Sequence, residues 1–364
     1  MKIKNIVTTV VFLLFVFGFF FASLILPDAE YTDSERRPLA QFPGITWKEA
    51  LDGSAIKNFD KYSVDQFPAR DTFRGIYSWY RKNIMQLNET NDLAIEDGYV
   101  VKVEDKLSDS SLENALDKFN FIYDKYLKDS GGKTYLAIVP DKNYFLADKY
   151  GYVSMDYAKL EETLTSGLPA EYINLFDALE LSDYYKTDTH WSQDKITDVA
   201  KLIADKLGVG DNISGEYKTN LIYPFYGVYY GQMALPLPAD TICYLTNDTL
   251  DACTVFDYEN GQTYPLYTLD KFDSKEPYDI FLAGTRALLR IDNPNAANDK
   301  KLVVFRDSFG SSLLPLLAEC YSSIYVVDIR YVASSFVGNY IDFEGADTLF
   351  LYSTLVLNNS TSFK

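Results

Sequence analysis

Histidine is almost absent from this chain: one residue, His190, in 364. A multi-histidine zinc centre is thereby disfavoured, and a proton shuttle at neutral pH has one position to use. Cysteine is scarce as well, and three residues are too few for a disulfide scaffold. None lies in a pattern resembling a reactive thiol site. Positive charge is in deficit, with 34 Lys and Arg against 52 Asp and Glu. The resulting net charge of −18 argues against nucleic acid or an anionic lipid surface as the main partner. Low-complexity tracts and internal repeats are also missing, and aromatic content is high, as expected of a globular chain.

The first 26 residues set the compartment. From Ile6 to Leu26 the chain is a nearly uncharged apolar run, preceded by Lys2 and Lys4 and followed by Pro27-Asp28. Roughly 20 such residues cross a bilayer, and the basic flank favours a cytoplasmic N-terminus. Two readings are open: a retained transmembrane anchor, or a signal peptide cleaved near Phe21-Ala22-Ser23. Both export the remaining chain, so the expected location is extracytoplasmic, tethered to the cell membrane or secreted after cleavage.

The spacing predicts residues 1–27 as anchor or signal, 28–110 as linker and helical collar, and 111–364 as an α/β domain. The linker is polar and proline-punctuated through Pro38 and Pro43; helical patterns follow at Trp47 to Leu51, Ala55 to Asp65 and Phe73 to Leu87. In the core, Leu112 to Leu127 has helical spacing, and Thr134 to Val139 is a continuous apolar run of the buried-strand kind. Glu161 to Ser166 reads as helix and Tyr172 to Phe176 as strand. A helix is expected over Gln193 to Leu207 with Ser192 as its N-cap. Residues 215–290, with short alternating runs between Gly, Pro and Asn-Asp signals, read as a β-rich insertion. Cys243 and Cys253 flank an expected hairpin tip at Leu245 to Thr249, where a cross-strand disulfide and two free thiols are both open. Cys320 reads as a buried free thiol. Strand, helix and strand signals return from Lys301 to Tyr352, which implies a mainly parallel sheet covered on both faces.

Chemistry concentrates at two places. In Tyr184-Tyr185-Lys186-Thr187-Asp188-Thr189-His190-Trp191, Asp188 lies two residues before the histidine. In an extended segment both project to one face, so the carboxylate can fix the ring's tautomer and stabilise imidazolium. In Val303-Val304-Phe305-Arg306-Asp307-Ser308-Phe309-Gly310, a buried strand gives way to a helix. A serine there stands at the carboxyl end of a strand and beside free helix N–H groups. Ser308 as nucleophile and Ser308 as helix cap both fit this segment. Asp307 should point away from the serine face and tie down the loop.

These phrases, Tyr-Lys-Thr-Asp-Thr-His-Trp-Ser and Arg-Asp-Ser-Phe-Gly-Ser-Ser, resemble signatures of the DHHW family. That family is similar to the SGNH-hydrolase-like alginate O-acetyltransferase group. Further matching phrases are Ser34 to Leu39, Asp65 to Arg70, Val139 to Lys142 and Val327 to Tyr331. The resemblance implies a flavodoxin-like SGNH-hydrolase-like core, with Ser308, His190 and Asp188 as nucleophile, base and acid. It also places Gly284 and Thr285 where the family has an oxyanion-binding Gly-Asn segment, while a plain glycine turn fits the same residues. Thr285 replaces the asparagine, Arg306 stands where SGNH enzymes have the glycine of Gly-Asp-Ser, and Thr189 replaces the family's first histidine, which resembles the acetyltransferase relatives' Asp-Thr-His-Trp. Arg330, after a buried strand, reads as a sugar- or carboxylate-binding group or as a surface salt bridge. Trp191 reads as packing, and Lys142 as a structural support for the loop after the first core strand.

The implied function is serine-dependent acetyl transfer on a cell-surface or extracellular polysaccharide, as O-acetyltransferase or acetylesterase. The alternative is a non-catalytic, membrane-tethered carbohydrate-binding or assembly protein. No cofactor or metal is called for, since Asp188, His190 and Asp194 make a poor zinc set. Expected partners are a glycan, the membrane through the N-terminal helix and, for a transferase, a multipass membrane protein that supplies the acyl donor. No nucleic acid is expected.

Overall fold

The computed structural model describes residues 2–44 and 46–364. It divides into two compact units: residues up to Asn91 with Val228–Leu237, and Asp92–Gly227 with Pro238–Lys364.

The first unit begins with an apolar helix, Lys2–Ile25, long enough to cross a membrane and with none of its residues buried. Helices Trp47–Asp52, Ser54–Asp65 and Arg70–Asn83 follow. Thr46 and Glu49 close the first of these with a capping box. Two of the phrases noted in the sequence meet here. Arg37 grips Asp65 through both terminal nitrogens at 2.9 and 2.6 Å, and Arg70 pairs with Glu35 at 2.5 Å. The Asp65 carboxyl, bonded by Arg37 and the Ala40 N–H, is held down at about 2. Neither phrase carries chemistry of its own; together they brace the linker.

The second unit is built on an eight-stranded sheet. Its parallel part contains Thr134–Val139, Glu171–Asn174, Lys301–Arg306, Ser323–Val327 and Asp347–Ser353. Alternate residues of these strands enter two separate apolar clusters: Tyr135, Ala137, Val304 and Leu349 on one face, Leu136, Ile138, Phe305 and Phe350 on the other. Both faces are covered, so the strands read as unbroken apolar runs. The expected mixed α/β architecture with a large, mainly parallel sheet is present.

The strand order departs from the flavodoxin-like expectation. Numbered along the chain, the parallel strands lie 2-1-5-3-4, whereas a flavodoxin-like sheet runs 2-1-3-4-5. The last strand, Asp347–Ser353, is the one inserted, between Thr134–Val139 and Lys301–Arg306. Six of its seven residues are buried, so its apolar sides need neighbours on both edges and both faces.

Residues 215–290 do contain strands, in two groups. Lys218–Phe225 pairs antiparallel with Asp240–Thr246. Thr254–Asp257, Thr263–Pro265 and Leu288–Asp292 instead extend the main sheet as an antiparallel edge. The expected hairpin between Cys243 and Cys253 does not form. Asn247 accepts a hydrogen bond from the Leu250 N–H and caps a helical turn, Asp248–Ala252, which sends the chain to a different sheet. All three cysteines are free and buried. The expected helix after Ser192 starts later, as a 3₁₀ turn Gln193–Lys195 and then an α-helix Thr197–Lys206. The Ser192 hydroxyl donates to Asp194 at 2.5 Å rather than capping the helix.

Candidate active site

The carboxyl ends of four parallel strands converge on one rim, carrying Asp141 and Lys142, Asp307 and Ser308, Asp328 and Arg330, and Ser353 and Thr354. This is where open α/β sheets hold ligands. The Asp307 carboxylate does what its alternation in the strand predicts. It accepts from the Phe309 N–H at 3.0 Å and from the Ser353 N–H at 2.7 Å, pinning the serine turn to the neighbouring strand.

Ser308 is half-buried, on the turn between Lys301–Arg306 and the helix Gly310–Leu317. Its Oγ lies 2.7 Å from His190 Nε2, and His190 Nδ1 lies 2.6 Å from Asp188 Oδ1. Three groups separated by up to 120 residues thus form one hydrogen-bonded chain. The route to Asp188 differs from the extended segment read in the sequence. Tyr184 and Trp191 close an antiparallel bridge around a tight bend, and Asp188 Oδ1 also accepts the His190 backbone N–H at 3.0 Å. An Asx-type turn, rather than strand alternation, brings acid and imidazole together.

That bend is held from outside. Lys142 Nζ donates to the carbonyls of Tyr185, Lys186 and Asp188 at 3.0, 3.3 and 2.7 Å. Burial pushes the Lys142 amine down to about 7, against the upward pull of Asp188, Asp240 and Asp141. Asp240 accepts from the N–H groups of Lys186 and Thr187 and from the Thr187 hydroxyl. Gly227 presses on the bend so closely that a Cβ would meet the Asp188 Cα at 2.4 Å.

The imidazole is stacked on one face and meets the tilted Phe309 ring at 5.1 Å. Tyr278 stacks on His190 at 3.8 Å with 5° between the rings, and its hydroxyl donates to Ser312 Oγ at 2.7 Å. The same Ser312 oxygen accepts from Trp191 Nε1 at 2.9 Å. Trp191 is fully buried, as packing requires. Nothing in the sequence around Pro277-Tyr278-Asp279 signals this role, and Asp240 is equally silent.

Gly284 takes a left-handed φ of 86°, packs against the Asp279 side chain and spends its N–H on the Phe281 carbonyl at 3.1 Å. Thr285, next to it, is exposed. Arg330 is neither free nor a surface ion: it forms a two-pronged pair with the buried Asp328 at 2.9 and 2.6 Å. Arg306 is 1% exposed, runs beneath Gly310 and donates through Nη1 to the Asp307 carbonyl at 3.2 Å. In the serine turn, the Phe309, Gly310 and Ser311 N–H groups all have acceptors within it, while among the described residues Ser308's own N–H has none.

Fold and site together define an α/β protein with a serine, a histidine and an aspartate hydrogen-bonded in series at the carboxyl rim of a parallel sheet. The DHHW resemblance is carried by a match of that family's sequence model, described as DHHW protein, to residues 167–327, a span that holds all three residues. A DHHW family protein from Eubacterium siraeum shares the fold with a TM-score of 0.59 and 21% identity, over 75% of this chain and 95% of that one. Bacillus cereus PatB1, solved with a sulfonyl adduct, matches with a TM-score of 0.57 and 18% identity over 74% and 96%. The O-acetyltransferase domain of Pseudomonas putida AlgJ is more distant, at a TM-score of 0.44 and 14% identity over 73% and 92%. No curated protein matches.

Proposed function

We propose that this protein is an extracytoplasmic acyl-transfer enzyme that moves an acetyl group onto, or off, a hydroxyl of a cell-surface polysaccharide. The single observation behind this reading is the unbroken chain from Ser308 Oγ to His190 Nε2 and from Nδ1 to Asp188, at 2.7 and 2.6 Å. In the proposed reaction Ser308 Oγ attacks the acetyl carbonyl carbon while His190 takes its proton. The imidazolium, steadied by Asp188 and the Tyr278 ring, returns that proton to the departing alcohol. A sugar hydroxyl or water then attacks the acyl-serine by the reverse sequence. The Ser308 N–H, with no acceptor among the described residues, is the first oxyanion donor, and the exposed Thr285 turn is the candidate for the second.

The acetyl assignment rests on the likeness of Asp188-Thr189-His190-Trp191 to the Asp-Thr-His-Trp of the alginate O-acetyltransferase group. The apolar helix Lys2–Ile25 serves as the anchor, holding the second unit outside the cytoplasmic membrane. A transferase so placed takes its acetyl group from a multipass membrane donor protein. The sulfonyl adduct on PatB1 supports testing Ser308 with reagents that modify activated serines. The direct experiment is turnover of a small acetyl ester by the detergent-solubilised chain. Ser308→Ala and His190→Ala should each lower kcat by ~10³-fold or more, and Asp188→Asn by a similar factor, as removal of triad members does. Wild type and all three variants turning over at an equal background rate would leave the non-catalytic carbohydrate-binding reading.

A further inference from the structure

The helix Arg70–Asn83 is amphipathic in the wrong sense for a water-exposed surface. Phe73, Ile76, Tyr77 and Tyr80 follow at helical spacing, and Ile84 continues their stripe just beyond the end. This apolar stripe faces outward, with Ile76 57% and Ile84 58% exposed. The covered face is the polar one. Ser78 is fully buried, and Arg74 donates to the carbonyls of Gly231 and Gln232 at 3.2 and 2.7 Å within the same unit. A surface helix in water does the reverse. The neighbouring helices add Trp47, Leu51, Ile56 and Val64, all exposed.

The stripe is continuous with the anchor. Phe73 meets Phe19 edge-on at 5.3 Å and Phe15 at 6.5 Å, and Phe67 stacks on Phe19 at 5.3 Å. The anchor's 24 residues span about 36 Å, against a hydrocarbon core of about 30 Å. Counting inward from Leu26, where the apolar run from Ile6 ends, Phe19 lies about 10 Å and Phe15 about 16 Å inside the hydrocarbon boundary. Phe67 and Phe73, whose rings meet Phe19 most closely, share its depth, at the deep end of the ~5–10 Å reached by interfacial helices. An apolar groove of about 1130 Å³, lined by Phe15, Phe19, Phe20, Phe59, Phe67 and Phe73, opens beside these contacts. The segment also departs from the chain's acidity: residues 42–87 hold seven basic and five acidic side chains, in a protein of net charge −18.

We infer that the collar helices lie in the outer interface of the bilayer, the stripe from Phe73 to Ile84 seated among lipid headgroups and upper acyl chains. The occupant of this face is lipid, because the surface continues the one on the spanning helix. The inference rests on the anchored reading of Lys2–Ile25, and its test separates the two. The full chain is reconstituted in phosphatidylcholine vesicles in a Trp47→Phe, Trp79→Phe background, which leaves only the buried Trp191. Single probes are then added as Ile76→Trp, Ile84→Trp and, within the anchor, Leu13→Trp; Tyr80→Trp is an aromatic exchange that reports on the stripe should either isoleucine variant fail to fold. The expected result is loss of emission at the stripe positions to bromine placed near the headgroup, with little loss to aqueous acrylamide. Leu13→Trp should lose emission to bromine near the chain ends. Stripe probes quenched by acrylamide and not by bromolipid, with Leu13→Trp still quenched in lipid, would overturn the interfacial collar, leave the anchor standing and turn the face over to a membrane protein. Loss of the lipid signal at Leu13→Trp as well would overturn both.

Discussion

Replacing Lys142 with methionine separates two effects that the structure sets against each other. Lys142 is 3% exposed, and its amine donates to three carbonyls of the bend that carries Asp188. Removing it strips the Tyr185 and Asp188 carbonyls of this charged donor, at about 1–3 kcal/mol each. The Lys186 carbonyl keeps the Val100 N–H at 2.7 Å. Against this loss stands relief of burial: lowering the amine from 10.5 to about 7 is a penalty of about 5 kcal/mol on the charged form. The two nearly cancel at neutral pH, so Lys142→Met should fold while its Asp188 bend is held only from the Asp240 and Gly227 side. A displacement of about 1 Å at a catalytic group costs on the order of 10²-fold in rate, which is the expected loss in kcat/KM for an acetyl ester. The pH dependence supplies a second reading. Between pH 7 and 10.5 the unfolded lysine binds a proton that the folded one has released, so wild-type stability rises with pH through that window. The gain from pH 7 to about 9 is about 2 kcal/mol, and Lys142→Met lacks it. Thermal melting of both solubilised chains across that range checks the sign. Parallel melting curves, or a Lys142→Met enzyme with unchanged kcat/KM, would refute the reasoning.

Two further expectations follow from neighbours of the site. Asp307→Asn keeps the shape but cannot accept equally from the Phe309 and Ser353 N–H groups, so melting should fall by about 1–3 kcal/mol of stability, with turnover reduced as the serine turn loosens. Tyr278→Phe preserves the ring over His190 and should retain most turnover. Tyr278→Ala removes the ring from the imidazolium and should cost about 0.5–2 kcal/mol, or roughly 2- to 30-fold in kcat on the acetyl ester; equal rates for the two variants would dismiss the stack.

How far the sequence reaches is clear from particular residues. Buried strands such as Thr134–Val139 and Lys301–Arg306 were legible because both faces of a parallel sheet are covered, leaving apolar runs with few interruptions. His190 and Asp188 were legible as a pair because only one imidazole exists, whereas the strand-end Ser308 joined them only through the likeness to the DHHW phrases. Strand order was not, since the central place of Asp347–Ser353 depends on pairing between segments over 200 residues apart. Local competition explains two smaller departures: the Asn247 cap diverts the chain from a hairpin, and the Ser192–Asp194 bond keeps that serine from capping a helix. Tyr278 was invisible for a different reason. A ring stacked on another has no sequence periodicity, and it reaches His190 from the far end of the insertion.

The most direct measurement is the site of covalent modification in the solubilised full-length chain after treatment with a sulfonyl fluoride or fluorophosphonate. The account predicts one adduct, on the peptide containing Ser308, absent from Ser308→Ala and strongly reduced in His190→Ala. An adduct at another residue, or Ser308 labelling indifferent to the loss of His190, would contradict it.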